Sequence, residues 1–355
     1  GSLPSHMLNG NQDATPDYLR LEAADNIVIS GTVGGDDALE GLTIGGVTVG
    51  SEVNLPNNVT FYGPVTVNGD LQITASGVVT FYSDVVLTSG KLVIQGASQV
   101  IFKGGVVVQG GGDIVLQGDE IDFQGGDESI VGTGKLWLRP TTTSLNIEVG
   151  SPINSVTNAT LNINDQEVRK LADGFSTIVI GGYDSSTGHA TGTGTVRIAA
   201  LTTAGQPLLR DNLEVYGQNI TVEDANLANQ TLLVEGTVKL DAIGNIRIGN
   251  TMEARTAAGV QDIVLYSATG SVQQFDAAAD GATGEALIGG RLTVTAASGI
   301  NLGATQLDSV SATHTGTLGD ITIRETAAGG DLTVLGVAQT QAGASGNIGV
   351  ATTAG

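Results

Sequence analysis

Pairs of branched apolar residues, two positions apart with one residue between them, recur along the whole chain. Six of these pairs follow a Gly and then an Asp or Asn: GDLQI at 69–73, GDIVL at 112–116, GNIRI at 244–248, GDITI at 319–323, GDLTV at 330–334 and GNIGV at 346–350. In a strand, residues two apart share a face, so each pair offers one apolar side to a core. Gly, Asn and Asp tolerate the left-handed backbone angles of a sharp corner. The predicted unit is a corner followed by a short strand, reused from end to end.

The unit has a period. Phe61, Phe81, Phe102 and Phe123 lie 20, 21 and 21 residues apart, and each closes an apolar pair: Val59/Phe61, Val79/Phe81, Val100/Phe102 and Ile121/Phe123. Two more pairs follow within each period, Val65/Val67 then Leu71/Ile73, Val85/Leu87 then Leu92/Ile94, Val106/Val108 then Ile114/Leu116. This rhythm predicts an all-β parallel β-helix solenoid with about three short strands per rung of ~17–22 residues. Rungs stacked at the ~4.8 Å spacing of paired strands should align the four phenylalanines in an internal ladder.

The rhythm stops after Trp137. Asn164-Asp165-Gln166-Glu167, followed by Val168, Leu171, Ala172 and Phe175, predicts a capped, one-sided helix over 165–173 that Gly174 ends. FSTIVIGG at 175–182 then re-enters the coil, and the Gly/Thr/Ser-rich 184–195 reads as a loop. From about 213 the rungs resume with smaller residues, and the Ala/Gly/Asp-rich 268–290 reads as a looser loop or irregular rung. The expected organisation is an expression-tag remnant at 1–7, N-terminal rungs over 8–138, an insertion over 139–191, and C-terminal rungs over 192–355 that read as truncated from a longer array. One motif running from 69 to 350 argues for a single array rather than separate globular domains.

Composition narrows the function. The 355 residues include 53 Gly and few aromatics, and 36 acidic against 14 basic residues give a formal charge of −22, which repels nucleic acid and anionic membranes. There is no cysteine, so disulfides and thiol chemistry are excluded, and no run of 18 apolar residues marks a membrane span. The expected partners therefore include no nucleic acid and no inserted membrane, and a monomer is expected.

Candidate chemistry is sparse. Only His6, His189 and His314 are present, which leaves little for a histidine-centred triad or a zinc site. Gly134-Lys135 lacks the Ser or Thr of a phosphate loop, since Leu136 follows. Asp113, Asp119, Glu120, Asp122, Asp127 and Glu128 form a dense acidic stretch. Carboxylates ~5–10 Å apart could act as acid and base on a polysaccharide, or could converge on Ca²⁺, with Asp119, Asp122 and Asp127 as the candidate ligands. Acidic turns also simply solubilise a stacked coil. Alternation further places Val93, Val115 and Trp137 outward in one apolar column beside Val86 and Val107. Three readings of that column stand side by side: a surface covered by Val168, Leu171 and Phe175 of the helix, plain strand propensity, or a docking patch.

The G-[DN]-[IL]-x-[VIL] unit, together with LRP at 138–140, LNIND at 161–165 and EVRKLADGFSTIVIG at 167–181, resembles the filamentous-haemagglutinin-type repeats of large bacterial exoproteins. The resemblance implies a right-handed coil at the bacterial cell surface. It implies a non-enzymatic stalk or passenger segment of a secreted or surface-displayed adhesin, acting in adhesion or aggregation by reach and rigidity. Its partner would be a glycan or protein on a host or neighbouring cell, met through the parent molecule. The NPNG- and NPNL-type motifs of the family's secretion domain do not occur. The alternative is a carbohydrate-binding or polysaccharide-degrading β-helix, with the acidic stretch and Trp137 as its site.

Overall fold

The computed structural model describes residues 8, 17–49, 52–150, 160–199, 202–203, 206–207, 209–223, 231–275, 286–327 and 331–352. The tag remnant at 1–7 lies outside them. The chain is an all-β parallel β-helix and divides into two compact units, 1–142 with 155–179, and 143–154 with 180–355.

In the first unit three parallel ladders carry the predicted pairs in register. Val59/Phe61 lies beside Val79/Phe81, then Val100/Phe102, then Ile121/Phe123. Val65/Val67 leads to Val85/Leu87 and Val106/Val108. Leu71/Ile73 leads to Leu92/Ile94, Ile114/Leu116 and Leu136/Leu138. All of these side chains are buried. The phenylalanine ladder forms as expected, with ring centroids 4.7, 5.0 and 6.0 Å apart from Phe61 to Phe123. A second stack runs outside it, Tyr62 on Tyr82 at 4.8 Å with the Lys103 ammonium 4.0 Å from the Tyr82 ring centre.

The corner motif follows its sequence reading at Gly319, whose φ is +135°, but not at Gly69, Gly112, Gly244 and Gly346, which do not have left-handed φ; these four are needed because rungs approach closely. A Cβ at Gly112 would land on the carbonyl oxygen of Gly90, and one at Gly69 on that of Glu40. The acidic or amide side chain beside the glycine then reaches along the stack. Asp70 accepts the Lys91 N–H at 3.0 Å, Asp113 that of Lys135 at 2.8 Å, Asn245 that of Ser271 at 2.9 Å, and Asp320 that of Asn347 at 2.7 Å. The corner amide just before or at the start of each of these strands is thus satisfied by the preceding rung. The same latch recurs outside the motif, from Asn58 to Val78, Asp84 to Gly105 and Asn212 to Thr237.

The insert folds into the coil. The helix is shorter than the expected 165–173, spanning only Asp165–Val168, with both halves of a capping box in place: Asn164 Oδ1 accepts from the Gln166 and Glu167 amides, and Glu167 Oε2 accepts the Asn164 N–H at 2.9 Å. It stops early because the next residues are required as a rung. Glu128 and Ile130 donate to the carbonyls of Arg169 and Lys170, and Ala172 donates back to Ile130. Leu171 thereby continues the Val85–Val106–Ile130 column. Gly132 follows Val108 in its own column, and the Phe175 ring packs against it, within 2.7 Å of where a Cβ would stand.

The second unit repeats the scheme. One ladder runs through Asn146–Val149, Val196–Ile198, Ile220–Val222, Ile246–Ile248 and Val272–Gln274 to Ile300, Ile321–Glu325 and Ile348–Thr352. Another runs from Leu213–Gly217 through Val238–Ala242, Ile263–Ser267, 292–296 and 310–314 to Thr333–Gln339. Of the irregular 268–290, residues 272–274 are a regular strand, and 276–285 lie outside the described residues. Glu325 stands inside this unit almost wholly buried; its carboxylate is satisfied by Thr305 Oγ1 at 3.0 Å and by the amides of Leu307 and Ala327 at 3.2 and 2.9 Å.

Candidate functional site

The acidic stretch of the first unit is split among separate tasks. Asp113 is a corner latch. Both Asp119 oxygens are taken by Thr142, through its amide at 2.7 Å and its hydroxyl at 2.8 Å. Asp122 accepts from Gln124 Nε2 at 2.6 Å, and Asp127 pairs with Lys170 Nζ at 2.9 Å, which holds its carboxyl below the ordinary range. The three candidate calcium ligands are thus each engaged apart from the others. Among the described residues, no group of three or more His, Cys, Asp or Glu is placed to share a metal ion.

Glu120 and Glu167 are brought together instead. Glu167, the capping-box residue, is buried, and Glu120 is half-buried on the coil with Asp122 nearby. Burial pushes the Glu167 carboxyl up to about 8, against hydrogen bonds from the Asn164 and Phe123 amides, with the charges of Glu120 and Asp122 adding to the rise. Burial likewise raises Glu120 to about 7, opposed by the Asn162 amide. Asp165 is raised for the same first cause, with Arg169 opposing.

A pH dependence follows. Above the unfolded value of 4.5 the folded state binds more protons than the unfolded one, so the stability held below that pH is lost as pH rises through about 7 to 8. Thermal melting of the unit containing Glu167 is expected to fall between pH 5 and 9 by an equivalent of roughly 2–4 kcal/mol. In Glu167→Gln, which keeps the capping oxygen, that slope should flatten. A wild-type melting temperature that rises over this interval would contradict the assignment.

The apolar column stacks as expected, Val93 beside Val115 beside Trp137, all half-buried. Lys135 Nζ sits 5.5 Å from the Trp137 ring centre. Of the three residues that could cover it, Leu171 is spent on a rung and Phe175 on Gly132.

The densest polar constellation lies in the second unit, where sequence reading gave histidine little weight. Tyr216, Asp241 and Tyr266 are neighbours across three parallel strands, with Glu214 and Lys239 in the adjoining row. A short hairpin, Tyr183–Asp184 paired with His189–Ala190, closes against them. Asp241 is almost fully buried; its Oδ2 lies 2.8 Å from His189 Nδ1 and its Oδ1 accepts the Ala190 N–H at 3.0 Å. Lys239 Nζ donates to Gly188 O and to Tyr216 Oη, both at 3.1 Å, and lies 3.6 Å from Asp241. Tyr216 donates to Glu214 at 2.7 Å, and burial, helped by that carboxylate, pushes its hydroxyl well above the ordinary tyrosine range. The His189 ring stacks on Tyr266 at 4.0 Å, and Tyr183 meets Tyr216 at 5.2 Å. Asp241, Lys239 and Tyr216 find partners within the cluster, which makes it a staple for the hairpin, and a buried carboxylate fixes the orientation of a half-exposed imidazole. His314 is buried elsewhere, its Nε2 3.1 Å from Ala297 O.

Compared with family models, with curated proteins and with solved structures, the chain matches none of them.

Proposed function

We propose that this chain is a structural stalk or passenger segment of a secreted or surface-displayed bacterial adhesin, of the filamentous-haemagglutinin-like kind, working outside the cell by reach and rigidity. The observation that carries the reading is the rung itself: similar apolar pairs in register, with corners such as those at Asp70 and Asp113 latched to the next rung by a carboxylate. Such a unit lengthens a molecule by one strand spacing per turn while leaving its outer face free to vary. The acidic charge suits an exposed passenger, and the partner would be a glycan or protein on a host or neighbouring cell, bound through the parent molecule.

A second reading, carbohydrate binding or cleavage, has one observation in its favour. Glu120, held up to about 7 with Asp122 beside it, is a carboxyl able to donate a proton near neutral pH, as a general acid must.

One assay addresses both. Set between an unrelated anchor and a known adhesive tip on a bacterial surface, the chain is expected to raise tip-mediated cell attachment or aggregation over the same tip joined directly to the anchor, and to release no reducing ends from a panel of polysaccharides. Unchanged attachment and aggregation would remove the adhesin reading. Reducing-end release that disappears in Glu120→Gln would replace it with the second.

A further inference from the structure

Four corners of the first unit carry charge in alternation. Asp70, Lys91, Asp113 and Lys135 stand immediately before the inward pairs Leu71/Ile73, Leu92/Ile94, Ile114/Leu116 and Leu136/Leu138, which lie in register. Their side chains share the outer face with the residues two positions on: Gln72 Nε2 donates to Asp70 Oδ2 at 3.1 Å, and Lys135 Nζ lies 5.5 Å from the Trp137 ring centre. The face therefore holds a charged row, Asp70, Lys91, Asp113 and Lys135, beside the half-buried row Gln72, Val93, Val115 and Trp137. The two middle charges of the row are unspent. Asp113 Oδ1 accepts the Lys135 N–H, but neither Asp113 Oδ2 nor the exposed Lys91 ammonium has a partner among the described residues, although the two stand on adjacent rungs.

We propose that this face is a docking surface for a second copy of this chain, laid antiparallel about a two-fold axis that runs along the strands between the Lys91 and Asp113 rungs. The order Asp, Lys, Asp, Lys reversed is Lys, Asp, Lys, Asp, so every charge meets its opposite: Asp70 faces the partner's Lys135, Lys91 faces the partner's Asp113, and the other two pairs follow by symmetry. Val93 meets the partner's Val115 in the same way, which puts four valines at the centre, beside the charges that lack partners within one copy. A copy laid parallel in register would set like charges together and is rejected. The spacing also selects the partner, since charges repeating at ~4.8 Å are matched along their length by another coil of the same rung. The pairing is isologous and closes at two copies, in place of the monomer expected from the sequence. Four rungs span only about 15 Å, less than a standard interface, so the association should be weak. This inference goes beyond the spacer reading and does not rest on it: a monomeric coil would still hold an adhesive tip away from the cell, so the two can fail separately.

Sedimentation velocity of the whole chain over a concentration series tests it, at about 0.1 M salt, where charges more than about 10 Å apart are screened and the formal −22 of each copy opposes pairing little. The weight-average sedimentation coefficient of the unsubstituted protein should climb with concentration toward that of a dimer and level there. Lys91→Asp and Asp113→Lys each place at one corner a residue that the neighbouring corner already carries, so both should keep the circular dichroism of the unsubstituted chain. Each alone should stay monomeric, because like charges then meet across the axis. An equimolar mixture of the two should regain the dimer, and so should the double variant Lys91→Asp/Asp113→Lys, since both restore opposite charges at every pair. A strictly monomeric unsubstituted protein at its highest soluble concentration would overturn the proposal. So would association of either single variant equal to that of the unsubstituted chain, or a mixture of folded variants that remains monomeric.

Discussion

Phe81→Ala should destabilise the unit that carries the phenylalanine ladder by about 3–5 kcal/mol, read as a shift in the midpoint of urea unfolding followed by circular dichroism. Phe81 is fully buried between two nearly parallel neighbours, Phe61 at an interplanar angle of 6° and Phe102 at 5°. Centroid separations of 4.7 and 5.0 Å exceed the ~3.5–4.0 Å contact distance of carbon atoms, so parallel rings touch only when offset, which is the favourable stacking arrangement. Removing the middle ring forfeits its burial and both stacks. The gap cannot close, because the strands on either side are fixed by ladder hydrogen bonds at the rung spacing. Phe81→Leu, which refills most of the volume, should lose less than half as much. A loss below about 1 kcal/mol for alanine would mean that the ladder is not what holds these rungs together.

Gly112→Ala is expected to be at least as damaging, costing more than about 3 kcal/mol, although it adds a single methyl group to a corner. The added carbon would stand 1.6 Å from the Gly90 carbonyl oxygen, and the other near atoms, Gly90 C and Lys91 N, are also backbone. The Gly90 rung is held by the Asp70 latch to Lys91 and the Gly112 rung by the Asp113 latch to Lys135, so a shift of either strains a latch. Gly126→Ala is the control: its Cβ would meet nothing within 4 Å and its φ is not left-handed, so its melting temperature should be unchanged. Equal effects at the two positions would show that backbone freedom, and not close approach, selects glycine at this corner.

The period was readable because burial repeats it. Phe61, Phe81, Phe102 and Phe123 are large, rare in this chain and identical from rung to rung, so their spacing alone locates one wall of the coil. The purpose of the corner glycines was not readable, since a residue chosen for left-handed φ and one chosen for close approach look the same in one dimension. The helix was overextended because Val168, Leu171 and Phe175 have helical spacing, yet Ile130 needs Leu171 as a strand neighbour, and that demand comes from 41 residues earlier in the chain. Asp119, Asp122 and Asp127 looked like one site because they are close in sequence, whereas successive residues of a narrow coil point in different directions. The pairing of His189 with Asp241 arises only when the hairpin folds back. Its trace in the sequence was the row of Tyr216, Asp241 and Tyr266, each 25 residues from the next at equivalent outward positions.

The corner latch has a direction. In every case described above, the carboxylate or amide oxygen belongs to the earlier turn and the N–H it receives belongs to the later one. A polypeptide delivered amino-terminus first would therefore meet an acceptor already in position each time a new turn arrives, and each completed turn would become the template for its successor.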